Sequence, residues 1–264
     1  MNKQLIIVLA HPRTGSSMLM QTLRLLGVEI IGEFERKDLP QEANPRGYFE
    51  DVEILSKGLT EYAIEKIASR TGDALATKIA LSQMTKSDSI CQWQYLQRIQ
   101  AKILIPTRNP LEIALSRQVF KCPENKINQF AQVTFFLRKY QLEFKKLAEI
   151  FITMVPGLLS NIYLIPYSLA FDDAERYVNK ISAILSNDVS EEQKIAARNN
   201  IDSSLYRYRF SDFTDEEKAW HRKLGASLVY DALSVQDDPW SAIQAMRLKW
   251  QRNPAELSLP GNRS

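Results

Sequence analysis

Residues 5–27, LIIVLAHPRTGSSMLMQTLRLLG, decide the fold of this 264-residue chain. The six apolar residues 5–10 are long enough for one buried parallel strand, and the periodic Leu and Met residues over 18–26 predict a helix. The polar loop between them leads straight into the helix, where Ser16 and Ser17 can cap the first turn. Backbone N–H groups at such a turn lie beside the positive end of the helix dipole. The sequence therefore predicts a loop that binds an oxoanion.

This loop departs from the Walker pattern G-x-x-x-x-G-K-[ST] at two positions. Ala10 stands where the first glycine is expected and Ser16 stands where the lysine is expected, while the cationic residue is Arg13 in the middle of the loop. Enzymes that hydrolyse nucleoside triphosphates also use an acidic residue at the end of a second strand to hold Mg²⁺. The candidate strands 102–107 and 161–166 lead into Arg108 and Tyr167 instead. The pattern favours a donor whose group is transferred without a metal ion, and we predict no metal site.

The loop resembles that of the sulfotransferase family, whose donor is 3′-phosphoadenosine 5′-phosphosulfate (PAPS). In that family a strand leads into a loop of the type P-[KR]-[ST]-G-[ST]-[ST], which surrounds the 5′-phosphosulfate, and residues 12–17 match it throughout. The resemblance assigns donor binding to Pro12, Arg13, Thr14, Gly15, Ser16 and Ser17.

Three further stretches resemble the same family. In that family a strand ends in R-[ND]-P, a serine follows eight residues after the arginine, and these two side chains clasp the 3′-phosphate. Arg108 and Ser116 fall on those positions of ILIPTRNPLEIALSRQVF, residues 103–120. Residues 44–51, NPRGYFED, are similar to a segment of a bacterial branch. Residues 201–209, IDSSLYRYR, resemble a late segment that closes over the nucleotide, which assigns Tyr206 and Arg207 to the donor site; an amphipathic surface turn is the alternative.

The resemblance also implies an in-line transfer of the sulfuryl group. Arg13 is the residue expected to stabilise the negative charge that grows on the leaving oxygen. Related bacterial enzymes carry a catalytic carboxylate some twenty residues after the basic residue of the loop, and Glu33 lies twenty beyond Arg13. Glu50, Glu35 and His11 are the alternatives for the base, and any of these glutamates could equally be a solvated loop charge. Lys78, near the end of the second long strand, is a candidate for lining the donor pocket or an edge charge.

Alternating strand and helix patterns predict one α/β domain over residues 1–264, with a central parallel sheet between two helical layers. Its topology is expected to be the P-loop-like topology of sulfotransferases, with a helical C-terminal part. Predicted strands are 5–10, 74–81, 102–107 and 161–166. Predicted helices are 17–26, 51–69, 110–120, 128–152, 173–185, 215–233 and 240–250.

Composition limits the class of protein. A net charge of +3 is too small to indicate nucleic-acid binding, no run approaches the roughly 18 apolar residues of a membrane helix, and the apolar run at the N-terminus is too short for a signal peptide. Two cysteines, Cys91 and Cys122, fit a reducing compartment. We therefore expect a cytoplasmic protein without a nucleic-acid or membrane partner. Its oligomeric state stays open between monomer and homodimer.

The resemblance implies a PAPS-dependent sulfotransferase that moves the sulfuryl group to a hydroxyl or amine of a small-molecule acceptor and releases adenosine 3′,5′-bisphosphate (PAP). Two other classes remain: a P-loop kinase or NTPase with a degenerate loop, and a nucleotide-binding protein without catalysis. The acceptor, the choice between O- and N-sulfation and the residues that contact adenine are left open by the sequence.

Overall fold

A five-stranded parallel sheet lies at the centre of the chain in the order β2-β3-β1-β4-β5. The computed structural model describes residues 3–35, 47–121, 129–185, 188–206, 209–215, 218–219 and 241, with the backbone alone for 117–121, 129–138 and 210. The strands are Gln4–Ala10 (β1), Glu29–Ile30 (β2), Ala74–Ala80 (β3), Lys102–Thr107 (β4) and Ile162–Pro166 (β5). Because all pairs are parallel, the carboxyl ends of the strands meet at one edge of the sheet.

Ten α-helices cover this sheet within the described ranges. They are Ser16–Leu25 (α1), Val52–Lys57 (α2), Glu61–Ala68 (α3), Leu81–Met84 (α4), Ile90–Arg98 (α5), Pro110–Lys121 (α6), Gln129–Thr153 (α7), Leu169–Asp172 (α8), Ala174–Ser182 (α9) and Glu191–Asn199 (α10). Four short 3-10 turns lie at Ser87–Ser89, Pro156–Asn161, Ser203–Leu205 and Phe210–Asp212.

The side chains of β1 alternate between two layers of the core. Leu5, Ile7 and Leu9 pack into a cluster with α2 to α7, whereas Ile6 and Val8 face a second cluster that contains residues of α1, α8, α9 and α10. Successive side chains of a strand point to opposite faces, so a strand that is apolar throughout must be covered on both sides. The predicted three-layer α/β/α architecture is confirmed. The assignment of the whole chain to one domain stays a prediction.

One predicted helix needs correction, and several elements were not predicted. The single helix predicted over 51–69 is two helices, because α2 ends at Gly58, whose φ of +77° is left-handed, and Thr60 caps α3 by accepting from the Ala63 N–H. The strand β2 and the helices α4, α5, α8 and α10 were not predicted. The helices predicted over 215–233 and 240–250 lie almost wholly outside the described residues.

Candidate functional site

The loop between β1 and α1 is held in a left-handed conformation at two positions. Arg13 has φ +71° and Gly15 has φ +90°, and the first of these is uncommon for a residue with a side chain. Thr14 is fully buried, and its hydroxyl donates to the His11 carbonyl at 2.8 Å. This hydrogen bond closes the turn from His11 to Thr14, and Arg13 lies within that turn.

The expectation that Ser16 and Ser17 cap α1 is wrong. Gly15 occupies the N-cap position, and no side chain forms a capping hydrogen bond there. A helix leaves its first N–H groups without partners inside the helix, and here no side chain caps them. The first turn of α1 therefore keeps the backbone donors that an oxoanion needs.

Gly15 is tightly packed against an aromatic ring. A Cβ atom added at Gly15 would lie 2.1 Å from Cδ2 of Tyr167, the residue that follows β5. The N–H of Tyr167 donates to the carbonyl of Thr107 at 2.7 Å, which ties the loop after β5 to the end of β4. Both the backbone conformation and the neighbouring ring require glycine at this position.

The two motifs that match the donor site meet in space. Arg13 Nε donates to Ser116 Oγ at 2.9 Å, and Arg108 Nη1 donates to the Arg13 carbonyl at 3.1 Å. These contacts join residues 103 and 95 positions apart in the chain. They form because β1 and β4 are neighbouring parallel strands, so the loops that follow them meet at the same edge of the sheet.

Arg108 lies in a buried pocket with a carboxylate and two aromatic rings. Its Nε donates to Glu112 Oε2 at 2.9 Å, and its guanidinium carbon lies 4.5 Å from the ring centre of Tyr167 and 5.3 Å from that of Tyr206. The Tyr206 hydroxyl shares its one proton between the two carboxylate oxygens of Glu112, which lie at 3.0 and 3.1 Å. Tyr206, expected at the donor site, thus lies beside Arg108. Arg207 lies outside the described residues.

A third cation reaches the loop from β3. Lys78 is fully buried, and its ammonium donates to Ser17 Oγ at 2.9 Å, to the Tyr48 carbonyl and, at 3.3 Å, to Glu50 Oε1. A buried ammonium needs several acceptors to offset its lost hydration, and this one has them. Lys78 therefore places a positive charge at the second residue of α1, next to the loop that lacks the Walker lysine.

The candidate glutamates occupy different environments. Glu33 and Glu50 are joined through the backbone by an antiparallel bridge, with both N–H to carbonyl distances at 3.0 Å. The Glu50 side chain is only 13% exposed and pairs with Lys78, whereas Glu33 and Glu35 are exposed. The structure thus brings Glu50 to the loop through Lys78 and places Glu33 beside it.

Asp51 fixes the segment that carries Glu50. Its carboxylate caps α2 by accepting from the Glu53 and Ile54 N–H groups at 3.0 Å, and it binds Lys66 of α3 at 2.6 Å. Burial alone would raise the pKa of Asp51, but the hydrogen bonds from Lys66, Ile54 and Tyr62 outweigh that effect and lower the pKa from its ordinary value of 3.8. The partner lysine has a raised pKa, chiefly because it donates to the same carboxylate.

His11 lies on the side of the loop that faces α7. Its Nδ1 is 3.1 Å from the Pro12 carbonyl, its Nε2 is 3.6 Å from Glu143 Oε2, and its ring meets Tyr140 edge to face. The imidazole and the Glu143 carboxylate are both buried. This arrangement connects the loop to α7 through a histidine and a carboxylate.

Sequence reasoning missed three residues of this site. Glu112 follows Arg108 by four positions on α6, which is the spacing of an ion pair on a helix and could have indicated the contact. Tyr167 and Glu143 carry no such local signal, because their places depend on how β5 and α7 pack. Across the described ranges, no group of three or more His, Cys, Asp or Glu side chains is arranged to hold a metal ion.

Comparison with known proteins agrees with the fold. No protein-family model matches the chain, and no curated protein matches it by sequence. Among solved structures, the chain is similar to mouse sulfotransferase SULT7A1 complexed with PAP, with a TM-score of 0.52 and 12% sequence identity over 95% of this chain and 89% of that chain. At this identity the similarity shows the fold: the described part of the chain has the α/β fold of sulfotransferases. Within the same part, no helix combines the length and the apolar character needed to cross a bilayer.

Proposed function

We propose that this chain is a PAPS-dependent sulfotransferase that acts on a small-molecule hydroxyl or amine and releases PAP. The observation that carries the proposal is the contact between Arg13 and Ser116, supported by the hydrogen bond from Arg108 to the Arg13 carbonyl. Two phosphate-type motifs, matched separately in the sequence, lie against each other. A ligand with a phosphate at each end of one ribose is the chemistry that such a pair of sites recognises.

The residues present fit this donor. The first turn of α1 offers backbone N–H groups, and three cations, Arg13, Lys78 and Arg108, lie along the same edge of the sheet. Fixed cations and oriented N–H groups stabilise anions without reorganising during the reaction. Tyr206 and Tyr167 supply aromatic faces beside Arg108 for the nucleoside end. We accordingly assign Pro12 to Ser17, Arg108, Ser116, Tyr206 and Arg207 to donor binding.

In the proposed reaction, the acceptor oxygen or nitrogen forms a bond to sulfur while the bond from sulfur to the bridging phosphate oxygen breaks. Arg13 and Lys78 stabilise the charge that remains on that oxygen. Arginine keeps its proton at all working pH values, so Arg13 acts by hydrogen bonding and charge rather than as an acid. The proton of the acceptor passes to a base, and PAP leaves.

We propose Glu33 or His11 as the group that takes that proton, with Glu35 as the alternative. Glu33 is exposed and bridged to Glu50, and His11 lies in the loop against Glu143. The Glu50 carboxylate is held by the buried Lys78 ammonium at 3.3 Å, so we assign to Glu50 the positioning of Lys78. Three single variants separate these roles: Glu33→Gln, His11→Gln and Glu50→Gln. The base variant loses turnover at unchanged PAP affinity, whereas Glu50→Gln changes PAP affinity as well.

The test of the function is a calorimetric titration with PAP, run beside adenosine 5′-monophosphate (AMP) and beside ATP with Mg²⁺. Binding of PAP that requires the 3′-phosphate and no metal supports the proposal, and PAPS consumption with an acceptor panel then tests turnover. Binding of Mg-ATP alone would instead favour a kinase or NTPase. Tight PAP binding without any acceptor-dependent consumption of PAPS would favour a nucleotide-binding protein without catalysis.

A further inference from the structure

A groove of about 770 Å³ opens between α4, with the 3-10 turn that follows it, and α7. This volume is in the range of sites for small molecules. One wall comes from residues 82–88, directly after β3, and the other comes from one face of α7. The groove thus begins at the carboxyl edge of the sheet, where the phosphate loop also lies.

Strand order places the groove at the end of the donor site where the transferred group would lie. The pocket of Arg108 and Tyr206 lies beyond β4, on one side of β1, whereas the groove begins after β3, on the other side. The loop after β1 lies between them. A nucleotide that binds with its 3′-phosphate at Arg108 therefore presents its opposite end toward the groove.

One side chain joins the groove to the loop. Glu143 lines the groove, and its Oε2 is 3.6 Å from Nε2 of His11. His11 lies two positions before Arg13, the residue proposed to stabilise the leaving oxygen. A molecule in the groove that touches Glu143 is thus one side chain away from the phosphate loop.

Most of the side chains that line the groove are polar or charged, and three of them are lysines. Lys86 stands on one wall, Lys139 and Lys146 stand on the other, and Leu142 is the one aliphatic residue of the lining among the described residues. Lys139 lies 3.8 Å from Glu143, and Asp88 is the second acidic group of the lining. Lys86 donates to the amide oxygen of Gln83. Neither Lys86 nor Lys146 has a carboxylate within ion-pair distance in the described part of the chain.

From the groove's position and charge we infer that it is the acceptor site and that the acceptor carries an acidic group, a carboxylate, phosphate or sulfonate, away from the reacting hydroxyl or amine. The lysines hold that group at the mouth, while the reacting end lies toward Glu143 and the loop. This inference rests on the proposed function and adds the substrate class to it.

The test uses three matched pairs of probes: 4-hydroxyphenylacetate and its amide, 4-hydroxybenzenesulfonate and its sulfonamide, and glycerol 3-phosphate and glycerol. Binding is measured by calorimetry with and without PAP, and PAPS consumption is measured in parallel. At least one acidic member is expected to bind about tenfold more tightly than its neutral partner. Equal or tighter binding of the neutral members, or no binding by any acidic member, overturns the inference.

Charge reversal on each wall locates the acidic group. Lys86→Glu and Lys146→Glu are exposed changes that are expected to leave folding intact, and each should weaken the acidic probe about tenfold while leaving the neutral one unchanged. Lys145→Glu is the matched control, because it lies on the same helix but does not line the groove. Equal effects of all three variants, or none from the two groove variants, refute the placement.

PAP binding separates this failure from failure of the proposed function. If PAP binds neither the parent chain nor the variants, and PAPS is not consumed with any probe, the sulfotransferase proposal fails. If PAP binds normally, and the two groove variants show the same change in affinity for acidic and for neutral probes, only the acceptor inference fails.

Discussion

Replacing Arg108 by alanine should weaken PAP much more than AMP. The guanidinium is 6% exposed and is proposed to bind the 3′-phosphate, which AMP lacks. Hydrogen bonds to a charged group contribute about 1.5 to 3 kcal/mol. At about 1.4 kcal/mol per tenfold, the Kd of PAP should rise by about 10- to 150-fold, whereas that of AMP should change less than about threefold.

The same substitution should destabilise the fold, and this second effect must be separated from the first. Removing Arg108 leaves the Glu112 carboxylate, which is 2% exposed, with the Tyr206 hydroxyl but without its cation. Loss of one partner of a buried ion pair costs about 3 to 5 kcal/mol. Two aromatic contacts of the guanidinium are lost as well, each contributing about 0.5 to 2 kcal/mol. We expect a loss of about 3 kcal/mol or more in the free energy of unfolding.

A second substitution, Glu112→Gln, distinguishes the two effects. In the Arg108→Ala background it removes the unpaired charge, so the free energy of unfolding should recover in part. PAP and AMP should still bind to the double variant with equally low affinity. Alone, Glu112→Gln removes a negative charge next to the proposed phosphate site and should tighten PAP by about three- to tenfold.

Calorimetry with both nucleotides and urea unfolding of all four proteins are the assays. Equal weakening of PAP and AMP by Arg108→Ala would refute the assignment of the 3′-phosphate to Arg108. Recovery of the preference for PAP in the double variant would refute it as well, since the loss would then come from folding.

Three further predictions concern the loop and its support. Gly15→Ala should abolish PAP binding and lower the free energy of unfolding by about 2 kcal/mol or more, because its Cβ would lie 2.1 Å from Tyr167 in a left-handed backbone; calorimetry and urea unfolding measure both. Lys78→Met should cut the rate of PAPS consumption at least about tenfold in steady-state assays, because a cation beside the loop is lost. Asp51→Asn should lower the free energy of unfolding at pH 7 by about 1 kcal/mol, because it weakens the pair with Lys66.

The pH dependence of the last effect follows from the sign of the shift. The folded-state pKa of Asp51 is lowered, so its stabilisation is complete above the unfolded value of 3.8 and is lost as the pH falls through the folded value. The difference between parent and Asp51→Asn in urea should therefore shrink below about pH 3.8. A constant difference across this range would contradict the stabilising role of the ionised Asp51. An active Lys78→Met variant would contradict the role of Lys78 in turnover, and PAP binding by Gly15→Ala would contradict the role of the loop in donor binding.

The strands could be predicted because buried parallel strands are short runs of apolar residues. Residues 5–10, 74–81, 102–107 and 161–166 correspond to β1, β3, β4 and β5 within one residue at each end. The two-residue β2 is too short to show a pattern. The break between α2 and α3 was signalled by Gly58, but the surrounding periodicity of a longer helix concealed it.

For the candidate site too, some features could be predicted from the sequence and others could not. That Arg13 and Arg108 meet follows from the rule that loops after parallel strands share one edge. The buried state of Lys78 could not be derived, since an apolar strand with one lysine reads equally well as an edge strand with an exposed charge. Burial of that lysine depends on acceptors from Ser17 and from residues 48–50, which only the packed chain brings together.

The pairing of the cations bears on how the donor would bind. Arg108 is paired with Glu112, Lys78 is paired with Glu50, and Arg13 donates to the Ser116 hydroxyl. Donor binding at Arg108 and Lys78 would then be an exchange of partners, in which phosphate oxygens replace the carboxylates of Glu112 and Glu50. The gain per contact is smaller than that of a cation with no partner, because the carboxylates must be rehydrated or repositioned. The same carboxylates hold these two cations in place without a ligand, so the proposed site would lose some affinity but keep a fixed geometry, which is what stabilisation of a developing charge requires.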